Sequence, residues 1–146
     1  MPDGVFLGFD FGYKRIGMAI GQQITKSASP LATLHATQGI PEWSLIAKTI
    51  KQWSPQAIII GFPTKIDGSE QYTSIAVKEF AQQLHTRFKL PIYLVDERLT
   101  TIEARAHLFA SGGYDKLKKT AIDSIAACVI LEQWLQEKSH TPYIET

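Results

Sequence analysis

The sequence predicts a single α/β domain built on a mixed β-sheet, and three features support this prediction. Short apolar runs at residues 5–10, 57–61 and 92–95 are typical of strands buried inside a sheet. Helical periodicity alternates with the later strands, which is the pattern of α/β proteins. The chain has 146 residues, the length of one domain, so we expect a single domain over residues 1–146.

A meander of strands is expected before the first helix. A short turn at residues 11–15 joins the first strand to a second strand at residues 16–21, which indicates a hairpin. Gly12 in that turn is able to take a positive φ. A third strand is expected at residues 31–35. Four helices are expected at about residues 42–54, 72–88, 101–110 and 120–138.

Composition and charge exclude several classes of protein. Hydrophobic residues make up 45% of the chain and charged residues 20%, which excludes a disordered or collagen-like protein. No apolar run approaches the roughly 20 residues that cross a bilayer, and no secretion signal is present, so we expect no membrane partner. The one cysteine, Cys128, favours a reducing cytoplasmic location. The net charge is +1, so nucleic-acid binding has to depend on local clusters of cations.

Acidic residues follow the strands that are expected to be parallel neighbours. Right-handed crossovers would bring the carboxyl ends of these strands to one edge of the sheet, where Asp10 ends the first strand and Asp96 and Glu97 end the last. Asp123 lies in the most apolar helix, where a carboxylate is costly unless it is paired or metal-bound. A divalent cation removes the repulsion between clustered carboxylates, and their oxygens suit Mg²⁺ or Mn²⁺. No set of Cys and His residues has zinc spacing.

Each acid also has a purely structural explanation. Asp10 could cap a turn, and Asp123 could be stabilised by the dipole of its helix. Asp96 and Glu97 could be a solvated pair at a strand end. Strand alternation points them to opposite faces, so we expect at most one of them to face the site. The metal site therefore depends on the convergence of all three regions.

Four motifs in order along the chain resemble the YqgF family. They are GFDFG followed by KRIG at residues 8–17, GFP with DG at residues 61–68, DERLTT at residues 96–101 and DSIAA at residues 123–127. The likeness covers roughly residues 8–131. These proteins are ribonuclease H-like and are described as Holliday-junction resolvases or pre-16S rRNA-processing nucleases. The resemblance implies a five-stranded mixed sheet of order 3-2-1-4-5, with strand 2 antiparallel, flanked by helices.

The resemblance also implies a site and an activity. Asp10, Glu97 and Asp123 match the catalytic acids of the family, and this match selects Glu97 over Asp96. They would hold Mg²⁺ or Mn²⁺ for hydrolysis of phosphodiester bonds, in pre-16S rRNA 5′-end processing or in branched DNA. Many ribonuclease H-like nucleases have four acids, so one or two ions stay possible. Cations near the acids are candidates for binding the substrate, namely Lys14, Arg15, Arg98, Arg105, Lys118 and Lys119.

Two other functions and two assembly states stay open on the sequence. The domain could bind RNA, the ribosome or the transcription machinery without cleavage. The turn at residues 10–14 also resembles the phosphate loop of actin-like ATPases and sugar kinases, although the chain has no room for their second domain. A monomer is favoured because no extended apolar face is left over, and a dimer stays possible because junction cleavage usually needs two active sites.

Overall fold

The computed structural model describes residues 4–62, 72–96, 119–137 and 139–145. Residues 62, 72–74, 96 and 119–123 are described only by their place in a strand or helix. The elements in these ranges are β1 (Val5–Asp10), β2 (Arg15–Gln22), β3 (Ser27–Pro30), β4 (Leu34–Thr37), β5 (Ile40–Pro41), α1 (Trp43–Trp53), β6 (Ala57–Phe62), α2 (Tyr72–Phe88), β7 (Ile92–Asp96) and α3 (Lys119–Gln136).

The described strands form one mixed sheet. Its main path is β5-β4-β2-β1-β6-β7, and β3 pairs with β2 beside this path. β1 and β2 are antiparallel, whereas the pairs β1–β6 and β6–β7 are parallel. The predicted class, a mixed α/β fold, is therefore confirmed.

The expected sheet of five strands in the order 3-2-1-4-5 is wrong, because the described residues form a sheet of seven strands in which β3 and β4 both pair with β2. The stretch around the expected third strand holds three short strands, β3, β4 and β5. β2 is eight residues long, so β3 pairs with its second half while β4 pairs with its first two residues. The polar β3 segment, SASP, lacks the apolar alternation that marks a strand, and it pairs because the edge of β2 needs hydrogen-bond partners.

Helices cover both faces of the sheet. On one face, large apolar side chains of alternate strand residues pack with α1 and α2; they include Leu7, Phe9, Ile16, Ile58 and Ile60, with Ile46, Phe80 and Leu84 from the helices. On the other face, α3 packs on a second core, which includes Phe6, Ala19, Ile59, Val95, Leu131 and Trp134. This separation follows from the alternation of side chains along each strand. Among the described helices, none combines the length and hydropathy needed to cross a bilayer.

Helix α3 rests almost directly on the backbone of the β1–β2 hairpin. A Cβ atom on Gly8 would lie 3.1 Å from the Cβ of Leu131 and 3.3 Å from the carbonyl oxygen of Ala127. A Cβ atom on Gly21 would lie 2.8 Å from Cδ2 of Leu131. These contacts leave no room for a side chain, so the two glycines set how close the helix comes to the sheet.

We expect Gly8→Ala to lower the free energy of unfolding by about 1–3 kcal/mol, because the added methyl group overpacks a contact with α3. Urea unfolding followed by circular dichroism measures this loss. Gln22→Ala, at the exposed end of β2, is the control and should stay within about 0.5 kcal/mol of the wild type. An unchanged unfolding midpoint in Gly8→Ala would contradict the close seating of α3.

Candidate active site

Asp10 is the last residue of β1 and is half-buried. Phe9 belongs to the core under α1 and α2, whereas Phe6 packs under α3, so strand alternation places the Asp10 side chain on the α3 face. Gly17 lies opposite Asp10 on β2, and Gly61 on β6 is one residue beyond the last pair of β1 with β6. Because glycine has no side chain, neither adjacent strand position adds a side chain beside this carboxylate.

The turn after Asp10 requires glycine for a close contact and not for a positive φ. Among the described glycines, positive φ values occur at Gly4 and Gly39, so the conformational freedom expected at Gly12 is not used. A Cβ atom on Gly12 would instead lie 2.5 Å from the carbonyl oxygen of Arg15. The Gly39 N–H also donates to the Tyr13 carbonyl oxygen at 2.9 Å. Both contacts fix the turn that follows the carboxylate.

Helix α3 runs antiparallel to β1 and carries Asp123 to the carboxyl end of that strand. Near its C-terminal end, the Trp134 ring lies 4.8 Å from the ring of Phe6. Ala127, about two turns earlier in the helix, lies against Gly8. Asp123 is one turn before Ala127, so its backbone lies beyond Gly8 in the direction in which β1 ends. Two of the predicted acidic positions therefore approach the same edge of the sheet.

A buried hydroxyl network holds the start of α3, and the sequence analysis did not identify it. Ser124 is 2% exposed, and its Oγ donates to the Leu31 carbonyl oxygen at 2.8 Å. The Thr33 hydroxyl lies 2.8 Å from the same Oγ. The sequence signal was a serine in an apolar helix, because a buried hydroxyl needs a partner. The network fixes the helix at the residue next to Asp123.

Of the other predicted site residues, the structure describes Lys14, Arg15 and Lys119. Lys14 is exposed in the turn, and Arg15 is half-buried at the start of β2. Arg15 is two residues before Gly17, so alternation places it on the same face of the sheet as Asp10. Lys119 is the first residue of α3, as a backbone position. Four predicted residues, Glu97, Arg98, Arg105 and Lys118, lie outside the described residues.

The metal centre stays a prediction. Within the described ranges, no group of three or more His, Cys, Asp or Glu residues could hold a metal ion. Those ranges include the carboxylate of Asp10, only the backbone of Asp123, and no part of Glu97. We therefore expect the three carboxylates to converge because β1 and β7 end at the same edge of the sheet and α3 begins near it.

Cys128 lies on the buried face of α3 and is not a nucleophile at neutral pH. Burial, followed by the negative charge of Glu132, raises the pKa of its thiol to about 12. Glu132 is itself placed by its Oε2, which accepts a hydrogen bond from the Ala28 N–H at 3.1 Å. The thiol therefore stays protonated and acts as a small apolar group.

Several solved structures share this fold at low sequence identity. RuvC of Thermus thermophilus, in a complex with a Holliday junction substrate, superposes with a TM-score of 0.63 at 12% identity, covering 95% of this chain and 99% of that one. The yeast mitochondrial Holliday junction resolvase Ydc2 superposes with a TM-score of 0.53 at 12% identity, covering 92% of this chain and 78% of that one. The class of the protein is therefore a mixed α/β fold like that of these resolvases.

Sequence comparison gives the family within that class. Residues 4–137 match the family described as "RuvX: Holliday junction resolvase". A protein of Legionella pneumophila strain Paris, named "Putative pre-16S rRNA nuclease", is 64% identical over 137 residues, which cover 94% of this chain and 99% of that protein. A protein of the same name from Proteus mirabilis is 49% identical over 138 residues, with the same coverage. The chain belongs to the RuvX family of nucleases, also called YqgF, which confirms the family predicted from its motifs.

We expect Ser124→Ala to lower the free energy of unfolding by about 1–3 kcal/mol, because the Leu31 carbonyl oxygen loses its buried donor. Thermal or urea unfolding measures the loss. Ser44→Ala removes a hydroxyl from an exposed position of α1 and should change stability by less than about 0.5 kcal/mol. Equal stabilities of the two variants would show that the network does not hold α3.

The raised pKa of the Cys128 thiol makes the free energy of unfolding depend on pH, with a sign that can be predicted. Its pKa is raised from 9.0 to about 12 in the folded protein, so the stabilisation is complete below pH 9 and is lost as the pH rises towards 12. Over that window we expect the free energy of unfolding to fall by up to about 1.4 kcal/mol per pH unit. Urea unfolding at several pH values measures the slope, and Cys128→Ala should remove this contribution. A variant with the same slope as the wild type would contradict the assignment.

Proposed function

We propose that this protein is a divalent-metal-dependent nuclease that hydrolyses phosphodiester bonds at the carboxyl edge of its sheet. The observation that carries the proposal is the meeting of the end of β1 with the start of α3. Asp10 lies on the α3 face between two glycine positions, and α3 brings the backbone of Asp123 towards the same edge. Glu97 follows β7 directly, two residues after Val95, whose side chain packs in the α3 core.

The chemistry of these residues suits Mg²⁺ or Mn²⁺. Carboxylate oxygens are the ligands that both ions prefer, and the glycines beside Asp10 add no competing side chain. Asp10, Glu97 and Asp123 would hold the ion or ions. Bound there, a divalent cation supplies an activated water and stabilises charge at the leaving oxygen. The chain offers no nucleophilic thiol for this role, because its one cysteine, Cys128, is buried on α3 and stays protonated at neutral pH.

The cations near Asp10 would bind the phosphates of the substrate. Lys14 is exposed in the turn that follows this residue, and Arg15 lies on the same face as its carboxylate. A guanidinium group binds phosphate oxygens through two parallel hydrogen bonds, which orients the backbone of a nucleic acid. We assign the same role to the cations that flank the other two acids, namely Arg98, Arg105, Lys118 and Lys119.

We propose precursor 16S rRNA, cut near its 5′ end, as the substrate. Relatives that are 49–64% identical are named for that activity, whereas the matched family is described by Holliday junction resolution. A monomer with one site suits cleavage of a single strand, while a four-way junction needs two sites in a dimer. We expect the protein to act as a cytoplasmic monomer on RNA of the maturing ribosome.

We expect Asp10→Asn to lower the cleavage rate by more than about 100-fold while the protein stays folded. Loss of a residue that only hydrogen-bonds to a metal ligand typically costs about 10–100-fold in metal affinity or activity, and loss of a ligand should cost more. The assay uses a pre-16S rRNA fragment and a four-way DNA junction, each with Mg²⁺, with Mn²⁺ and with EDTA. Glu137→Gln, which neutralises an exposed carboxylate beyond the end of α3, is the matched control and should cleave at the wild-type rate.

The outcomes of this assay separate the candidate functions. Cleavage by a folded Asp10→Asn protein at the wild-type rate would remove the assigned site. RNA binding without metal-dependent cleavage would make the protein a non-catalytic RNA-binding domain. Cleavage of the junction alone, by a protein with the solution mass of a dimer, would replace RNA by branched DNA as the substrate.

A further inference from the structure

A row of aromatic rings lies on the face of the sheet opposite Asp10 and includes Phe11, the next residue along the chain. The ring centroids of Tyr13 and Phe11 are 5.9 Å apart, and those of Phe11 and Phe80 are 5.2 Å apart. Phe80 in turn stacks on Trp43 at 5.9 Å. The guanidinium carbon of Arg87 lies 4.3 Å from the centroid of the Trp43 ring and ends the row. We call these five residues the aromatic row.

Every member of the aromatic row except Tyr13 lines a cavity of about 570 Å³ between the β4–β5 hairpin and helix α2. This volume lies within the range of small-ligand sites, which is roughly 300–1,000 Å³. Its lining combines aromatic rings with amides and charges. The polar lining residues are Gln38, Glu79, Gln82, Gln83 and Arg87.

The cavity lies beside the candidate active site. Phe11 lines it and is the residue that follows Asp10, so the two Cα atoms are about 3.8 Å apart. Alternation points the two side chains to opposite faces of the sheet. A strand that crosses the carboxyl edge of the sheet would therefore contact the carboxylate on one side and the cavity on the other.

We propose that the cavity binds one unpaired base of the nucleic-acid strand whose phosphodiester bond lies at Asp10. This proposal rests on the proposed function and adds a specificity site to it. Unpaired bases stack on aromatic rings and on arginine guanidinium planes, and the aromatic row presents both at the rim of the cavity. Tyr13 is 40% exposed and Arg87 is exposed, so the row reaches the surface at both ends.

The polar lining favours a base over an apolar protein segment. Glutamine amides donate and accept hydrogen bonds, which matches the mixed edges of the bases. Glu79 accepts from ring or amino N–H groups and repels phosphate, so the sugar-phosphate backbone would lie outside, near Arg87 and Lys14. An apolar peptide would bury these polar side chains without partners, at a cost. Exposed Ile40 at the rim and the apolar part of the lining are features that a protein partner would share.

The test measures binding without cleavage. The ¹⁵N-labelled wild-type protein in EDTA is titrated with a ten-nucleotide single-stranded RNA, the same RNA with one abasic position, and the free nucleotides AMP and GMP. The readout is the indole N–H signal of Trp43, assigned with Trp43→Phe, against the buried Trp134 on the other face of the sheet. Arg87→Ala tests the aromatic row, and Lys48→Ala, which removes one exposed positive charge from α1, is its control.

We expect the RNA to shift the Trp43 signal and to leave the Trp134 signal in place. Arg87→Ala should weaken binding by about 5- to 150-fold, the range that loss of one stacked base gives, while Lys48→Ala should bind within about 2-fold of the wild type. An RNA whose abasic position falls at the bound nucleotide should no longer shift the Trp43 signal. Because no metal is present, this result stands even if Asp10→Asn fails to affect cleavage.

Four outcomes would overturn the proposal. RNA binding that leaves the Trp43 signal unchanged would place the strand elsewhere, and so would equal affinities of Arg87→Ala and the wild type. Free AMP or GMP binding as tightly as the RNA would assign the cavity to a free nucleotide. Self-association that Ile40→Ser abolishes, with no effect of RNA on Trp43, would assign it to a protein contact.

Discussion

The close packing of α3 on the two glycines of the β1–β2 hairpin is the constraint on which the rest of the structure depends. Gly8 and Gly21 let the helix approach the strand backbone, and Leu131 fills the contact from the helix side. A helix held at this distance has its direction fixed by the strands beneath it. Its first turns therefore reach the end of β1, where Asp10 lies, and a small displacement would separate the acidic positions.

The two faces of the sheet carry side chains of different kinds near the end of β1. The α3 face has glycines beside Asp10, whereas the opposite face has the large side chains of the core under α1 and α2. Phe11 follows Asp10 and turns to that opposite face, where it joins the aromatic row. One strand end thus places the Asp10 carboxylate on one side of the sheet and the aromatic row on the other.

Two hydrogen bonds add to the close packing in holding the helix and the turn near Asp10. The hydroxyl of Ser124 ties α3 to the Leu31 carbonyl oxygen, and the Gly39 N–H ties the β4–β5 region to the turn at Tyr13. Neither bond adds an apolar contact, but each supplies a hydrogen-bond partner to a polar group inside the fold. The helix and the turn on either side of Asp10 are therefore both held in place by the segment between β2 and α1.

The sequence by itself determined the α/β class, the family and the position of Asp10 at a strand end, because apolar periodicity and motifs are local signals. It did not determine the number of strands, since β3 is polar and pairs only because the long β2 offers it a free edge. The role of Gly12 and the partner of Ser124 were also decided by the tertiary structure. Both depend on atoms brought together by folding, and such distances are not encoded in the residue types of any one segment.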